Sequence, residues 1–503
     1  MPCVLAEPLK LSHTFQTYEL SPFQLMKNSF SLILYAGLAF FATASFVCAE
    51  VKLPSILGNH MVLQQGEPVP VWGWADEGEK VTVSFQGKTV SAKAGKDGKW
   101  RIDLPAMKAN AKGSDLTVKG SNEIKLKDVL VGEVWLCSGQ SNMEWSVARS
   151  GNAKEEIANG KHPLIRHVKV PRKLSLTPQD DVQTGGWQVC SPATVANFTA
   201  VGYYFARHLQ QEIKVPIGLI GSNWGGTRIE PWTPPVGFKS VPALKKDFAD
   251  KLDQFAKGKP GRGTPTHMYN AMIAPLLPYA IKGALWYQGE SNNGEGMLYH
   301  EKMKALIAGW RSVWEKPDLP LYFVQLAPFN YRNRDSKALP WIWQAQLETL
   351  KIPHTGMAVT TDITTVNNIH PPNKQDVGKR LGLWALAKDY GYDKLVYSGP
   401  IFDKADHSEG KDCLAVYFKK SGNKHHGLKS KNEKDKLIHF EVAGKDGAWH
   451  PAEASIAYGD HVIVRSKEVK NPVHVRFGWD HKATPNLFNR TGLPASPFTT
   501  EKE

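Results

Sequence analysis

Cysteine is scarce, at five residues in a chain of 503. Cys3 and Cys48 fall in the first 49 positions, and Cys137, Cys190 and Cys413 are too few for a disulfide scaffold. An oxidising compartment would permit one bridge, Cys137 to Cys190; three buried free thiols are equally compatible with the sequence. His-Glu-x-x-His, Cys-x-x-Cys and the P-loop pattern are all missing, so metal hydrolysis, structural zinc and nucleotide use have no support and no cofactor is expected. Gly-x-Ser-x-Gly is missing too. Met143 and Asn293 stand where the second glycine would follow Ser141 and Ser291, which argues against the α/β-hydrolase elbow. There is no internal repeat and no long low-complexity linker.

Acidic residues are outnumbered, giving a formal net charge of +14, and clustered Lys and Arg would suit nucleic acid. The clustering is weak. The densest basic stretch, Lys419 to Lys436, alternates with Gly, Asn, Glu and Asp and reads as a solvated loop, so no nucleic-acid partner is expected. Sixteen tryptophans are a clear excess. Indole rings suit the apolar faces of sugars, and equally suit core packing.

The first 49 residues read as a leader. Lys27 precedes an apolar run from Phe30 to Ala49, and Val47-Cys48-Ala49 offers small residues for a signal peptidase, which places the mature start near Glu50 and the initiator at Met26. Some twenty apolar residues could instead remain as a membrane anchor. With cleavage, the expected location is secreted or periplasmic, with no membrane partner. Sequence leaves the oligomeric state open.

Beyond the leader the chain divides into three regions. Residues 50–130 carry short alternating runs such as Val69 to Trp74, Lys80 to Phe85 and Trp100 to Leu104, separated by turn pairs, and predict a small β-sandwich. Residues 131–396 alternate apolar runs with stretches of helical period. Val134 to Cys137, Ile217 to Ile220, Ala284 to Tyr287, Tyr322 to Leu326 and Met357 to Thr360 are the predicted strands. Val201 to Leu209 and Met303 to Trp314 are helical. This predicts a mostly parallel sheet with helices on both faces, and ligands at the carboxyl ends of its strands. Residues 397–503 return to short strands and predict a second β domain.

Each candidate functional segment follows a predicted strand. Ser141, in Ser138-Gly-Gln-Ser-Asn-Met143, is a nucleophile whose own N–H would face an oxyanion; an N-cap serine would look the same. Gly225 and Gly226 let backbone amides approach a ligand, or make an ordinary turn. Trp286-Tyr-Gln-Gly-Glu-Ser-Asn292 supplies amides from Gln288 and Asn292, a carboxylate from Glu290, and a competing nucleophile, Ser291. His370 stands before Pro371 and Pro372, which suit the start of a helix striped by Val377, Leu381, Trp384 and Ala385. An imidazole there can take a serine's proton. In a parallel sheet these segments converge on one rim.

These blocks, with Gly132 to Met143, Trp224 to Trp232, Trp286 to Asn292, Ile369-His-Pro371, Asn486 to Asn489 and Gly492 to Phe498, resemble the SGNH hydrolases and more closely their sialate O-acetylesterase group. The resemblance covers about Lys52 to the C-terminus. It implies an SGNH-like α/β catalytic domain between two β-sandwich-like domains, with Ser141 attacking an acetyl carbonyl and His370 as base. The oxyanion would be held by the N–H groups of Ser141 and of Gly225 or Gly226, and by Gln288 or Asn292. The wider family places Asp three residues before the histidine, where this chain has Asn367. Asp362 is the expected substitute; Glu290 or a Ser-His dyad are the alternatives. Arg228 would meet an acidic sugar's carboxylate or brace its loop against Glu230, and Trp232 and Trp145 would be sugar platforms. The function implied is a carbohydrate O-acetylesterase acting on 9-O-acetylated sialic acid or on acetylated plant or algal polysaccharide. The rivals are an acetylxylan or other polysaccharide esterase and a non-catalytic sugar-binding protein.

Overall fold

The computed structural model describes residues 50–422, 427–433 and 435–503, so the leader expected over residues 1–49 lies outside the described residues. Short strands come first: β1 (Val62–Gln64), β2 (Val69–Trp74), β3 (Lys80–Phe85), β4 (Lys88–Lys93), β5 (Lys99–Leu104) and β6 (Asn110–Lys119). In β3 and β5 every second residue is buried, Val81, Val83 and Phe85 in one and Trp100, Ile102 and Leu104 in the other. That is the period of strands with one face on a core.

β7 (Glu123–Gly139) is 17 residues long and changes character along its length. Its first half alternates and pairs antiparallel with β6. From Val129 to Gly139 every residue is buried, because here the strand lies between parallel neighbours with both faces covered. The boundary expected between residues 130 and 131 therefore falls inside one strand. Glu50–Glu503 forms a single compact unit.

The remaining strands of the central sheet are β8 (His162–Lys169), β9 (Gln188–Cys190), β10 (Ile217–Asn223), β11 (Gly283–Tyr287), β12 (Leu321–Val324) and β13 (Thr355–Ala358). Their order is β13-β12-β11-β7-β10-β8-β9, parallel except for the pairing of β8 with β9. Five helices frame this sheet and its loops: α1 (Ser141–Glu144), α2 (Ala200–Ile213), α3 (Leu298–Val313), α4 (Ala338–Thr349) and α5 (Lys374–Asp389). Sequence periodicity finds α2, α3 and α5 and misses α4, which contains Pro340.

α5 begins later than the prolines suggest. Asn373 caps it, its side-chain oxygen accepting from the Asp376 N–H at 3.1 Å, and Pro371 and Pro372 lead into the cap. α5 then lies close against α2 at Gly378, where a Cβ would come within 2.6 Å of the Phe205 backbone nitrogen. Only glycine permits that approach.

In the C-terminal region Ile401–Asp406, Cys413–Lys419, Glu453–Ala457 and His461–Arg465 form one antiparallel sheet, and Phe440–Ala443, Trp449–Pro451, His474–Phe477 and Phe498–Thr499 another. This region is tied to the central one by the Thr499 N–H donating to Gln344 Oε1 at 3.2 Å and by Gln325 Nε2 donating to Ser496 Oγ at 2.8 Å.

Most of the tryptophan excess is core: Trp135, Trp232, Trp286, Trp310 and Trp343 are fully buried. Trp232, Trp286, Trp310 and Trp314 meet edge to face in sequence at 6.4, 5.6 and 6.0 Å, geometry that adds about 0.5–1.5 kcal/mol per pair beyond area burial. They fix α3 against β11 and the loop after β10. Cys137, Cys190 and Cys413 are buried free thiols. Among the described residues no helix is long and apolar enough to cross a membrane.

Candidate active site

The register of the sheet makes the site. Gly139 pairs with Asn223 on one side and Tyr287 on the other, so β7, β10 and β11 end on one rung and their loops leave from it together. Gly139 has φ +130, and a Cβ there would lie 2.2 Å from the Tyr287 carbonyl oxygen. Across the rung, the Gln140 N–H donates to the Tyr287 carbonyl at 2.9 Å and the Trp224 N–H to the Gly139 carbonyl at 3.0 Å.

Ser141 opens α1 directly beyond this rung. As a first-turn residue its N–H has no intrahelical acceptor. Ser141 Oγ and His370 Nε2 lie 2.8 Å apart, although 229 positions separate them. The imidazole stacks on Trp145, ring centres 4.4 Å apart at 20°, and its own backbone N–H donates to Asn368 Oδ1 at 2.9 Å. Burial first, then Lys374 and Arg149, hold the His370 imidazole down at about 4, so at neutral pH the ring is uncharged and able to accept a proton.

Asp362, the expected orienting acid, does not reach His370. Both of its carboxylate oxygens accept from Arg380 on α5, each at 2.7 Å, a bidentate pair that takes the carboxylate away from the imidazole. Among the described residues His370 Nδ1 has no hydrogen-bond partner, so no carboxylate touches the Ser141–His370 pair. Asp362→Asn is accordingly expected to lower stability while leaving the pH at which activity falls on the acid side unmoved; a shift of that midpoint by a unit would return Asp362 to the catalytic group.

Glu290 does not reach His370 either. Its Oε1 accepts from Asn142 Nδ2 at 2.5 Å, and Asn142 Nδ2 also donates to the carbonyl of Ile369 at 3.0 Å. Lys374 Nζ completes the chain by donating to Asn142 Oδ1 at 2.5 Å. One buried amide thus ties the residue after Ser141 to the residue before His370. Lys374 is fully buried; burial brings its ammonium down to about 7 against the opposing pull of Glu290. Burial also pushes the Glu290 carboxyl up.

Gln288 and Asn292, the expected third oxyanion donors, are wholly buried and committed elsewhere. Gln288 Nε2 donates to Asn292 Oδ1 at 2.7 Å and to the Thr227 carbonyl at 3.1 Å, and Gln288 Oε1 accepts from the Tyr299 hydroxyl at 2.9 Å. Asn292 Oδ1 accepts the Ile229 N–H at 3.0 Å, and its Nδ2 donates to Glu230 and Glu295. These amides brace the loop after β10 and do not face a substrate. The unspent amide beside the nucleophile belongs to Gln140: its Oε1 accepts from Gln288 Nε2 and from the Ser291 N–H, both at 3.2 Å, and its Nε2 meets no acceptor among the described residues.

Of the two glycines, Gly225 donates its N–H to Glu144 Oε2 at 3.0 Å, whereas the Gly226 N–H has no acceptor among the described residues and open space lies where a Cβ would be. Gly225 instead gives Ser141 room, since a Cβ there would sit 3.2 Å from the Ser141 Cβ.

Arg228 braces its loop. It donates to Glu230 Oε1 at 2.9 Å, pairs with Glu295, and reaches the Ser291 carbonyl at 3.3 Å. Buried Lys302 bridges the same two carboxylates at 2.6 and 2.7 Å. Burial would raise Glu230, but Lys302 and Arg228 hold it below its ordinary value. Trp232 is fully buried, its Nε1 donating to Thr227 Oγ1 at 3.0 Å, and cannot be a sugar platform. Trp145 is part-exposed and lies in the site.

Sequence reasoning did not single out Gln140, Asn142, Glu144 or Lys374, which the structure places around Ser141 and His370. Only Lys374 carried a usable signal: a lysine in the first turn of a helix opposes the helix dipole, so something else must hold it there.

Residues 131–386 match the family model described as carbohydrate esterase, sialic acid-specific acetylesterase. The chain belongs to this family of carbohydrate esterases. The sialate O-acetylesterase of Mus musculus is 31% identical over 519 residues, covering 90% of this chain and 94% of that protein. The sialate O-acetylesterase of Rattus norvegicus is 30% identical over 516 residues, covering 89% and 94%. Among solved structures, a carbohydrate acetylesterase from Xanthomonas citri is 38% identical with a TM-score of 0.82, covering 90% of this chain and 100% of that one. Ser141, His370 and the network behind them all lie within the stretch of this carbohydrate acetylesterase that the family model spans.

Proposed function

We propose that this esterase removes acetyl groups from O-acetylated sialic acid in a secreted or periplasmic setting, with Ser141 as nucleophile and His370 as base. The observation that carries the chemistry is the 2.8 Å contact between Ser141 Oγ and His370 Nε2 at the carboxyl end of the parallel sheet. The family and the named activity of its relatives support the sialate substrate; the apolar run before Glu50 supports export. A nucleophile after one central strand and a histidine just before the last helix of the sheet also support the SGNH-type arrangement with flanking β domains.

Ser141 Oγ attacks the acetyl carbonyl as His370 Nε2 takes its proton. The tetrahedral oxyanion is held by the N–H groups of Ser141 and Gly226 and by the Gln140 amide; each such donor is worth about 2.7–4 kcal/mol of barrier. Collapse breaks the ester bond, and His370 returns the proton to the departing sugar hydroxyl. Water, giving a proton to His370, then attacks the acetyl carbonyl; the bond to Ser141 Oγ breaks, acetate leaves, and His370 returns the proton to Oγ. Trp145, stacked on the imidazole, keeps the ring in place during each transfer.

Acetate release from O-acetylated sialic acid, acetylxylan and p-nitrophenyl acetate tests this reading. The sialic acid ester is expected to give the highest kcat/KM, and faster turnover of acetylxylan would move the substrate to a polysaccharide. The same assay across pH should hold its rate from neutrality down towards pH 4, because His370 stays unprotonated until that region. Loss of activity already near the ordinary imidazole value of about 6.5 would contradict the buried, cation-flanked histidine.

A further inference from the structure

We propose that Arg149, held on Trp145, is a subsite for the carboxylate of an acidic O-acetylated sugar, the feature by which this esterase separates acidic from neutral esters. The proposal rests on the acidic-sugar reading above and names the residue that would carry it.

The arginines near the site are not equivalent. Arg172 is engaged by Glu144, Arg228 by Glu230 and Glu295, and Arg380 by Asp362. Arg149 is exposed, and its guanidinium has neither an ion pair nor a hydrogen bond among the described residues. It is nonetheless placed. Its Cζ lies 3.6 Å from the centre of the Trp145 ring, the ring that also stacks on His370.

The support beneath it is stiff. Trp145 Nε1 donates to the Arg149 carbonyl at 2.7 Å. The short 3-10 turn Val147–Arg149 is closed by Ser150, whose hydroxyl bonds the Val147 carbonyl at 2.8 Å and the Tyr204 hydroxyl at 2.9 Å. A guanidinium stacked on an indole keeps its in-plane N–H fork free, and a carboxylate is the group that fork fits.

The surrounding charge agrees. Glu144 is taken by Arg172 and Glu290 lies buried behind Asn142, while Lys374 adds a second cation. Both Lys374 and Arg149 press on the His370 imidazole. An acidic sugar bound with its acetyl carbonyl at Ser141 would present its carboxylate, at the far end of the molecule from the acetyl group, to Arg149.

Kinetics with four substrates test the assignment: 9-O-acetyl sialic acid and its carboxamide, and O-acetyl galacturonic acid and its carboxamide. The wild type should favour acid over carboxamide by about ten- to a hundred-fold in kcat/KM, carried mainly by KM, the range of a charged hydrogen-bonded contact. Arg149→Gln should bring that ratio close to one, and Arg149→Lys should keep part of it. An acid-to-carboxamide ratio near one in the wild type, or one unchanged in Arg149→Gln, overturns the subsite. If the galacturonate pair shows the ratio and the sialate pair is not hydrolysed, the sialate reading fails and the role of Arg149 stands.

Discussion

Ser141→Ala should lower kcat by about a million-fold, the loss seen when a serine hydrolase is deprived of its nucleophile. His370→Asn should cost a similar factor. The double variant should be no slower than either single one, because Oγ and Nε2 act as one unit through their 2.8 Å contact. Residual acetate release would come from the oxyanion donors and substrate binding alone. A Ser141→Ala enzyme that keeps a tenth of its activity would hand the chemistry to another hydroxyl. Ser291 is the obvious one, but its N–H is spent on Gln140 and its hydroxyl meets no histidine among the described residues.

The second large effect is expected at Lys374. In Lys374→Met, Asn142 loses the donor to its Oδ1 and Glu290 is left buried without the nearby cation. Removing one partner of a buried charged network costs about 3–5 kcal/mol, which urea denaturation would measure. Activity carries an independent signature. Lys374 is a cation that lowers His370, so its removal lets the imidazole hold its proton to higher pH, and the acid limb of kcat/KM should move upward. Adding Glu290→Gln should recover part of the stability, since the uncompensated carboxylate is gone. Unchanged stability together with an unmoved acid limb would show that Lys374 is incidental to the site.

Sequence revealed which residues leave the strand ends, because apolar runs and helical periods mark those ends; Ser141, the glycine pair and His370 were singled out in this way. It did not reveal where each side chain turns once the strand is over. Asp362 lay at the expected position, but Arg380, a turn and a half into α5, captures both its oxygens. Gln288 and Asn292 had the right chemistry for oxyanion donors, yet Tyr299 and the Ile229 N–H claim them. In each case the deciding partner lies on another element or loop and its competition leaves no periodic trace. The boundary read between residues 130 and 131 falls inside β7 for another reason: the change from alternating to continuous burial within that strand looks, in a linear text, like the end of one element and the start of another.

That strand has a mechanical consequence. The segment bearing Ser141 follows the far end of the same ribbon that begins in the outer β layer, so a hinge between the two would have to bend β7 itself. Trimming the amino-terminal strands would strip β7 of its partners, β6 and β1, and loosen the rung on which Ser141 stands. The outer layer is therefore a built-in clamp on the reaction centre, and any opening for substrate must come from the loops above the sheet.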